Sequence, residues 1–209
     1  MKILTISDKV VDSIYSLSIQ ERFGDVDLVL SCGDLPFYYL EFIVSMLNVP
    51  LYYVFGNHDW GLEYTSAGRT KTSPGGCVNL DGRVVEEKGL LIAGLEGSMK
   101  YNRWGRHQYT EAEMRAKVWR MAPRLLANKV RRGRYVDILI THAPPYGVHD
   151  GQDLCHTGFK AFLTFMERFK PRYLIHGHQH LRYNLNGPLV TAYGATTVVN
   201  AYGYRVIEI

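Results

Sequence analysis

Five short apolar runs in the chain each stop at a polar residue of metal-binding type. Ile3 to Ile6 ends in Ser7-Asp8, Leu28 to Leu30 in Cys32-Gly33-Asp34, and Val54-Phe55 in Gly56-Asn57-His58-Asp59; Ile138 to Ile140 ends in Thr141-His142, and Tyr173 to Ile175 in Gly177-His178-Gln179-His180. Runs of this length, closed by glycine and turn formers, predict buried strands. In the first half they alternate with helical patterns: a strand from Lys2 to Ile6, a helix from about Asp12 to Phe23, and a strand from Asp27 to Ser31. A helix from Pro36 to Leu47 follows, with Pro36 in its first turn, and then a third strand after Pro50. That order predicts a largely parallel sheet with crossover helices, and ligand sites in such sheets lie beyond the carboxyl ends of the strands.

The second half carries different signals. Residues 61 to 76 read as a Gly, Ser and Thr-rich loop. Val84 to Glu87 and Leu90 to Gly94 pair through a Lys88-Gly89 turn. Thr110 and Glu113 form a capping box for a helix to about Asn128, with Met114, Val118, Met121 and Leu125 on one face; Pro123 is expected to kink or split it. A strand from Val136 to Ile140 precedes a long loop, Ala143 to His156, and then a helix with Phe159, Phe162, Leu163, Met166 and Phe169 at core spacing. From Leu181 to Ile209 the pattern alternates around Asn186-Gly187 and Tyr202-Gly203, which predicts antiparallel strands. The whole reads as an α/β chain of two packed sheets with helices outside.

Length and composition narrow the class. At 209 residues, 46% apolar and 21% charged, the chain suits a single globular domain over residues 1–209, and no apolar run approaches the roughly 18 residues of a membrane span. The first strand begins at Lys2 with no signal-peptide pattern before it, and three widely spaced cysteines, Cys32, Cys77 and Cys155, suggest neither a disulfide framework nor a zinc knuckle. A cytoplasmic location is therefore expected. The net charge of +4 is uneven: eleven Lys or Arg stand against two Glu between Lys100 and Arg134, leaving the rest about five units acidic. This basic, partly helical segment, residues 98–135, carries Trp104, Trp119, Tyr101 and Tyr109, and keeps a nucleic-acid partner open.

Taken singly, Asp8 reads as a helix cap, Asn57 as a turn residue and His142 as a core histidine. Taken together, carboxylates, imidazoles and an amide oxygen at the ends of five strands form a mixed O/N donor set suited to Mn, Fe or Zn. In the order Asp8, Gly33-Asp34, Gly56-Asn57-His58-Asp59, His142, Gly177-His178-Gln179-His180, the motifs resemble the calcineurin-like metallophosphoesterase superfamily over residues 2 to 180. The resemblance implies a four-layer αββα sandwich of two mixed sheets and a two-metal hydrolytic site. By the matching positions Asp34 bridges both metals, Asp8 and His180 complete the first, and Asn57, His142 and His178 complete the second. His58 stands near the leaving group, with Asp59 orienting or capping. Two cations in such a site hold phosphoryl oxygens, generate hydroxide at neutral pH and stabilise an in-line displacement, and His58 supplies a proton or stabilises charge. The Gly-His-Gln-His spacing is read as extended, so that His178 and His180 face one way.

One motif departs from the family pattern. The usual Asp-x-His is here Asp8-Lys9-Val10, which leaves the first metal with Asp8, Asp34 and His180. The purple acid phosphatases also lack that histidine and use a tyrosine three residues after the bridging aspartate; that position is Phe37 here, so Tyr38 and Tyr39 become candidate extra ligands. Arg103, Arg106, His107 and His149 are candidate substrate ligands, and His176 is read as structural. The loop from His149 to His156, with two His and two Asp, is a pocket-mouth loop or a third cation site. The reading is a metal-dependent phosphohydrolase acting on a phosphate ester, a phosphodiesterase before a protein phosphatase. Its alternatives are a nuclease served by the basic segment and a binding scaffold with a degenerate first metal site.

Overall fold

A computed structural model describes residues 1–59, 61–64, 68–180 and 189–209. The chain runs through β1 (Lys2–Ser7), α1 (Ile19–Phe23), β2 (Leu28–Ser31), α2 (Phe37–Leu47) and β3 (Leu51–Tyr53), then the short pair β4 (Glu63–Tyr64) and β5 (Thr70–Lys71), and β6 (Cys77–Asn79). It continues through β7 (Val84–Glu87), β8 (Leu90–Leu95), β9 (Ser98–Met99), β10 (Gln108–Tyr109), α3 (Glu111–Arg132), β11 (Ile138–Thr141), α4 (Lys160–Phe169) and β12 (Tyr173–His176), and ends with β13 (Val190–Tyr193), β14 (Thr196–Asn200) and β15 (Gly203–Glu208).

Among the described residues the strands build one sheet in the order β15-β1-β2-β3-β6 and a second in the order β13-β14-β12-β11-β8-β7. Each is parallel inside with antiparallel pairs at its edges, β15 on β1 in the first, β13 on β14 and β7 on β8 in the second. Three apolar layers hold the stack. Ile3, Leu30, Ile92, Ile140 and Ile175 fill the space between the sheets. Ile6, Ile19, Leu40 and Ile43 close α1 and α2 onto the first sheet, and Met114, Leu125, Phe162 and Phe165 close α3 and α4 onto the second. This is the four-layer αββα sandwich that the family resemblance implies, with the two packed sheets and outer helices that the residue pattern predicts.

Several elements differ from the sequence expectation. The first helix shrinks to Ile19–Phe23, because Ser16 Oγ accepts the Ser18 backbone N–H at 3.3 Å and so offers the chain a local turn in place of helix. Pro123 does not split α3, which runs unbroken from its Thr110–Glu113 capping box to Gly133; its apolar face is gripped by the core along its length. The loop of residues 61 to 76 contains the paired β4 and β5. The C-terminal strands are antiparallel as expected at β13 on β14, but they do not stay in one sheet. β14 lies parallel to β12 in the second sheet, whereas β15 crosses to pair with β1 in the first, so Tyr202-Gly203 is a passage between sheets. The Asn186-Gly187 turn falls outside the described residues. The Lys88-Gly89 turn is present, with φ of 47° and 83°, the positive pair of a tight hairpin.

Asp137 ties the second sheet together at the end away from the motifs. It is buried, accepts the Leu91 N–H at 2.8 Å and the Arg134 Nε–H at 2.8 Å, and its carbonyl takes the Arg172 and Tyr173 amides. Asp137→Ala leaves a buried amide without an acceptor and is expected to destabilise the fold by about 1–3 kcal/mol in urea unfolding; an unchanged midpoint would mean that water takes over the acceptor role. Among the described residues no helix is long and apolar enough to cross a membrane.

Candidate metal centre

The parallel strands deliver their motif residues to one end of the stack. Asp8 follows β1, Asp34 follows β2, and Asn57 and His58 follow β3; His142 follows β11, and His178 follows β12. The chain must turn sharply at each exit, and Asp8, Asp34 and His178 all adopt left-handed φ of 62°, 56° and 65°. Such conformations are unfavourable for side-chain-bearing residues and gather where surrounding contacts over-determine them. Those contacts are visible. The Asp59 carboxylate accepts the backbone N–H of both Asp34 (2.8 Å) and Gly56 (2.7 Å), which pins the ends of β2 and β3 together. The Asp8 carboxylate accepts the His178 N–H at 2.9 Å, which joins the two sheets.

His142 is the hub. It is fully buried, and its Nδ1 meets the Cys32 carbonyl at 2.8 Å, so its Nε2 points into the centre. There it lies 2.9 Å from Asn57 Oδ1, 3.1 Å from His178 Nδ1 and 3.3 Å from Asp34 Oδ2. His178 is oriented the same way, its Nε2 against the Cys155 carbonyl at 2.7 Å. Two backbone carbonyls thus set both tautomers and turn the remaining ring nitrogens toward each other. Asn57 donates Nδ2–H to the Tyr101 hydroxyl at 3.1 Å, which turns its oxygen inward. Beside this cluster the Asp8 carboxylate, its side chain fully buried, stands 3.5 Å from His180 Nε2.

The electrostatics are those of an ion-binding pocket. Burial works against ionisation of Asp34, but His142 and the His58 N–H outweigh it and bring the carboxyl down to about 2. Burial likewise opposes charge on His142, yet the Asp34 carboxylate raises it to about 9, while burial and the neighbouring His142 hold His178 well below the usual imidazole range. Asp59 rises to about 6 through burial and the charge of Asp34. Buried lone pairs from two imidazoles, a carboxylate and an amide facing one another are unfavourable unless a cation or proton lies between them. Asp34, His142 and His178 have ligand atoms mutually within 4.8 Å, and the donor set fits a borderline divalent or trivalent ion.

The sequence-derived candidates divide. His178 and His180 both reach Asp8, but not through extended geometry: β12 ends at His176 and His178 is left-handed. Gln179 turns aside to the His156 carbonyl. Val10, where the family's histidine would stand, packs on the α1/α2 core. Tyr38 and Tyr39 are packing aromatics against Tyr15, and the Tyr39 hydroxyl accepts the Val11 N–H at 3.4 Å. His107 stacks on Phe55 and meets Glu96 at 3.1 Å, while His149 bridges buried His176 (2.9 Å) and Thr191 (2.7 Å). Arg103 lies over the Trp104 ring. Of the eleven cations in the basic segment, Arg115, Lys117, Arg132 and Arg134 pair with carboxylates, so part of the excess is spent on folding.

Two grooves meet at His58 and Asp59. One, of about 370 Å³, is lined by Asn57, Tyr101, Trp104 and Arg106; the other, of about 170 Å³, by Asp34, Phe37 and Glu63. Tyr101 is the site residue that sequence reasoning left among the basic-segment aromatics, and nothing in its local pattern marks it as a partner of Asn57. Tyr101→Phe keeps the ring and removes the acceptor; metal affinity is expected to fall about 10- to 100-fold with melting temperature nearly unchanged, as metal titration will show. Equal affinity would mean that Asn57 orients itself.

The family model described as calcineurin-like phosphoesterase matches residues 1–182, and the chain belongs to that family. The UPF0046 protein K07C11.7 of Caenorhabditis elegans is 28% identical over 176 residues, 78% of this chain and 56% of that protein; the chain thus spans little more than half the length of this relative. A solved crystal structure covers 99% of this chain and 94% of its own at TM-score 0.65 and 17% identity. That of TT1561 from Thermus thermophilus covers 97% and 89% at TM-score 0.60 and 15% identity. These two likenesses show the shared fold.

Proposed function

We propose that the chain is a phosphodiesterase with a dinuclear metal centre of Mn, Fe or Zn. The observation that carries this reading is the convergence of Asp34, Asn57 and His178 on His142 Nε2 within 2.9–3.3 Å, directly beside the two grooves. Asn57, His142 and His178 would hold one ion, Asp8 and His180 the other, with Asp34 between them. When bound, two such ions supply positive charge for phosphoryl oxygens and acidify water. The chain's own groups do the rest. His58, exposed where the grooves meet, gives a proton to the departing oxygen. Asp59 fixes the backbone on either side of it through its bonds to Asp34 and Gly56. Two grooves flanking His58 favour a diester, which has two ester arms to seat, over a monoester, which has one. Three unpaired thiols suit a cytoplasmic enzyme.

The test is hydrolysis of bis(p-nitrophenyl) phosphate beside p-nitrophenyl phosphate, on metal-stripped protein reloaded with Mn, Fe, Zn or Mg while bound metal is counted. Preference for the diester with at least two ions supports the reading. No turnover of either ester, with at most one ion, favours a binding scaffold. Single-stranded DNA binding that weakens steeply with salt would redirect it toward a nuclease.

A further inference from the structure

The loop after His142 carries a second donor cluster that the reaction above does not use. Asp153, Cys155 and His156 present a carboxylate oxygen, a thiol sulfur and an imidazole nitrogen within 4.8 Å of one another. The loop is built to hold them. His156 N and Thr157 N both donate to the Asp153 carbonyl, Gly151 N donates to the His156 carbonyl, and the Asp150 carboxylate takes the Gly158 N–H at 3.1 Å. Asp153 is also bound to His156 Nδ1 at 2.8 Å. We propose that Asp153, Cys155 and His156 form an additional cation site that takes a thiophilic divalent ion such as zinc, next to the centre and distinct from it.

Four arguments support the assignment. The donors are of three kinds, and the sulfur separates this site chemically from the O/N set around His142. Bonds of about 2.0–2.3 Å to one ion place tetrahedral donors about 3.3–3.7 Å apart. The donor atoms lie within 4.8 Å of one another, so side-chain rotation, easiest for the exposed Asp153 carboxylate, would bring them to that spacing. Binding also balances: the thiol proton leaves to solvent and the sulfur lone pair bonds the ion. Finally, the site touches the centre. The Cys155 carbonyl accepts from His178 Nε2 and the His156 ring lies 5.3 Å from that of His178, so an ion on the loop fixes the acceptor that holds the His178 tautomer. Three protein ligands leave one tetrahedral position open.

The test uses cobalt as the probe on the full chain, because only a thiolate ligand gives an intense sulfur-to-cobalt charge-transfer absorption. Titration of metal-stripped protein with cobalt is expected to produce that band. Cys155→Ser is expected to abolish it and to bind one equivalent less than the parent; His156→Gln is expected to weaken cobalt binding at the band at least tenfold. Cys77→Ser, altering a thiol elsewhere, keeps the band. Absence of the band at saturating cobalt, or its persistence in Cys155→Ser, overturns the proposal. The readout is independent of hydrolysis: a band without diester turnover upholds this site and defeats the phosphodiesterase reading, and turnover without a band does the reverse.

Discussion

Asp34→Asn is expected to lower diester hydrolysis by about 10³-fold or more, and to reduce bound metal. Among the described residues Asp34 supplies the carboxylate within 3.3 Å of His142 Nε2, and the proposed centre places it between both ions. Lewis-acid stabilisation of a phosphoryl transition state is worth several kcal/mol, and each 1.36 kcal/mol is about tenfold in rate. The same substitution has a signature that needs no metal. In the metal-free parent, His142 has its imidazole raised from 6.5 to about 9 by Asp34 against the opposing effect of burial. A raised cation contributes stability that is fully present below pH 6.5 and is lost as pH climbs through 9. Asp34, lowered from 3.8 to about 2, contributes stability above pH 3.8 that disappears only as pH falls through about 2. Metal-free parent protein should therefore melt progressively lower between pH 6.5 and 9, while the Asn variant lacks that step. Parallel melting curves across this range would show that the pair is not coupled as the geometry requires. Metal binding needs His142 without its proton, so loading at pH 7 is expected to release protons measurable in weakly buffered solution.

Gly56→Ala is expected to be nearly as damaging although it removes no functional group. A methyl built on Gly56 would stand 2.0 Å from Asp34 Oδ1 and 2.6 Å from His142 Cε1. Neither can yield. The Asp34 carboxylate receives the His58 N–H at 2.8 Å and His142 is buried on all sides. Overpacking of this kind destabilises by roughly 1–3 kcal/mol, and moving a reacting group by about 1 Å can lower a rate about 10²-fold. The expected result is a folded protein with weak metal binding and at least 10²-fold slower diester hydrolysis, seen by metal counting and steady-state rates. Retention of more than a tenth of the parent rate would mean that Asp34 and His142 shift freely, against their hydrogen bonds. Gly177 guards the other flank, where a methyl would meet Ser7 Oγ at 1.8 Å and Asp8 Oδ2 at 2.4 Å.

The parts of this molecule that sequence determined are those governed by local periodicity and adjacent chemistry. The alternation of short apolar runs with helical spacing specifies the parallel strands and their crossovers, and burial on both faces makes those runs continuous. The Thr110–Glu113 box and the Lys88-Gly89 turn form as read because each is satisfied by its own neighbours. The convergence of the candidate donors was legible because each lies within a few residues of a strand end and a parallel sheet gathers strand ends on one edge. What only the tertiary structure decided depends on contacts far apart in sequence. The alternating C-terminal pattern fits either sheet, and only the assembled fold seats β14 on β12 and β15 on β1. His178 and His180 share a spacing that suggests an extended segment, but the Asp8 carboxylate, 170 residues away, draws the His178 amide into a left-handed turn. The orientation of both central imidazoles rests on the carbonyls of Cys32 and Cys155. Every residue has a carbonyl, so no side-chain pattern announces which ones will aim a histidine; packing of two sheets does.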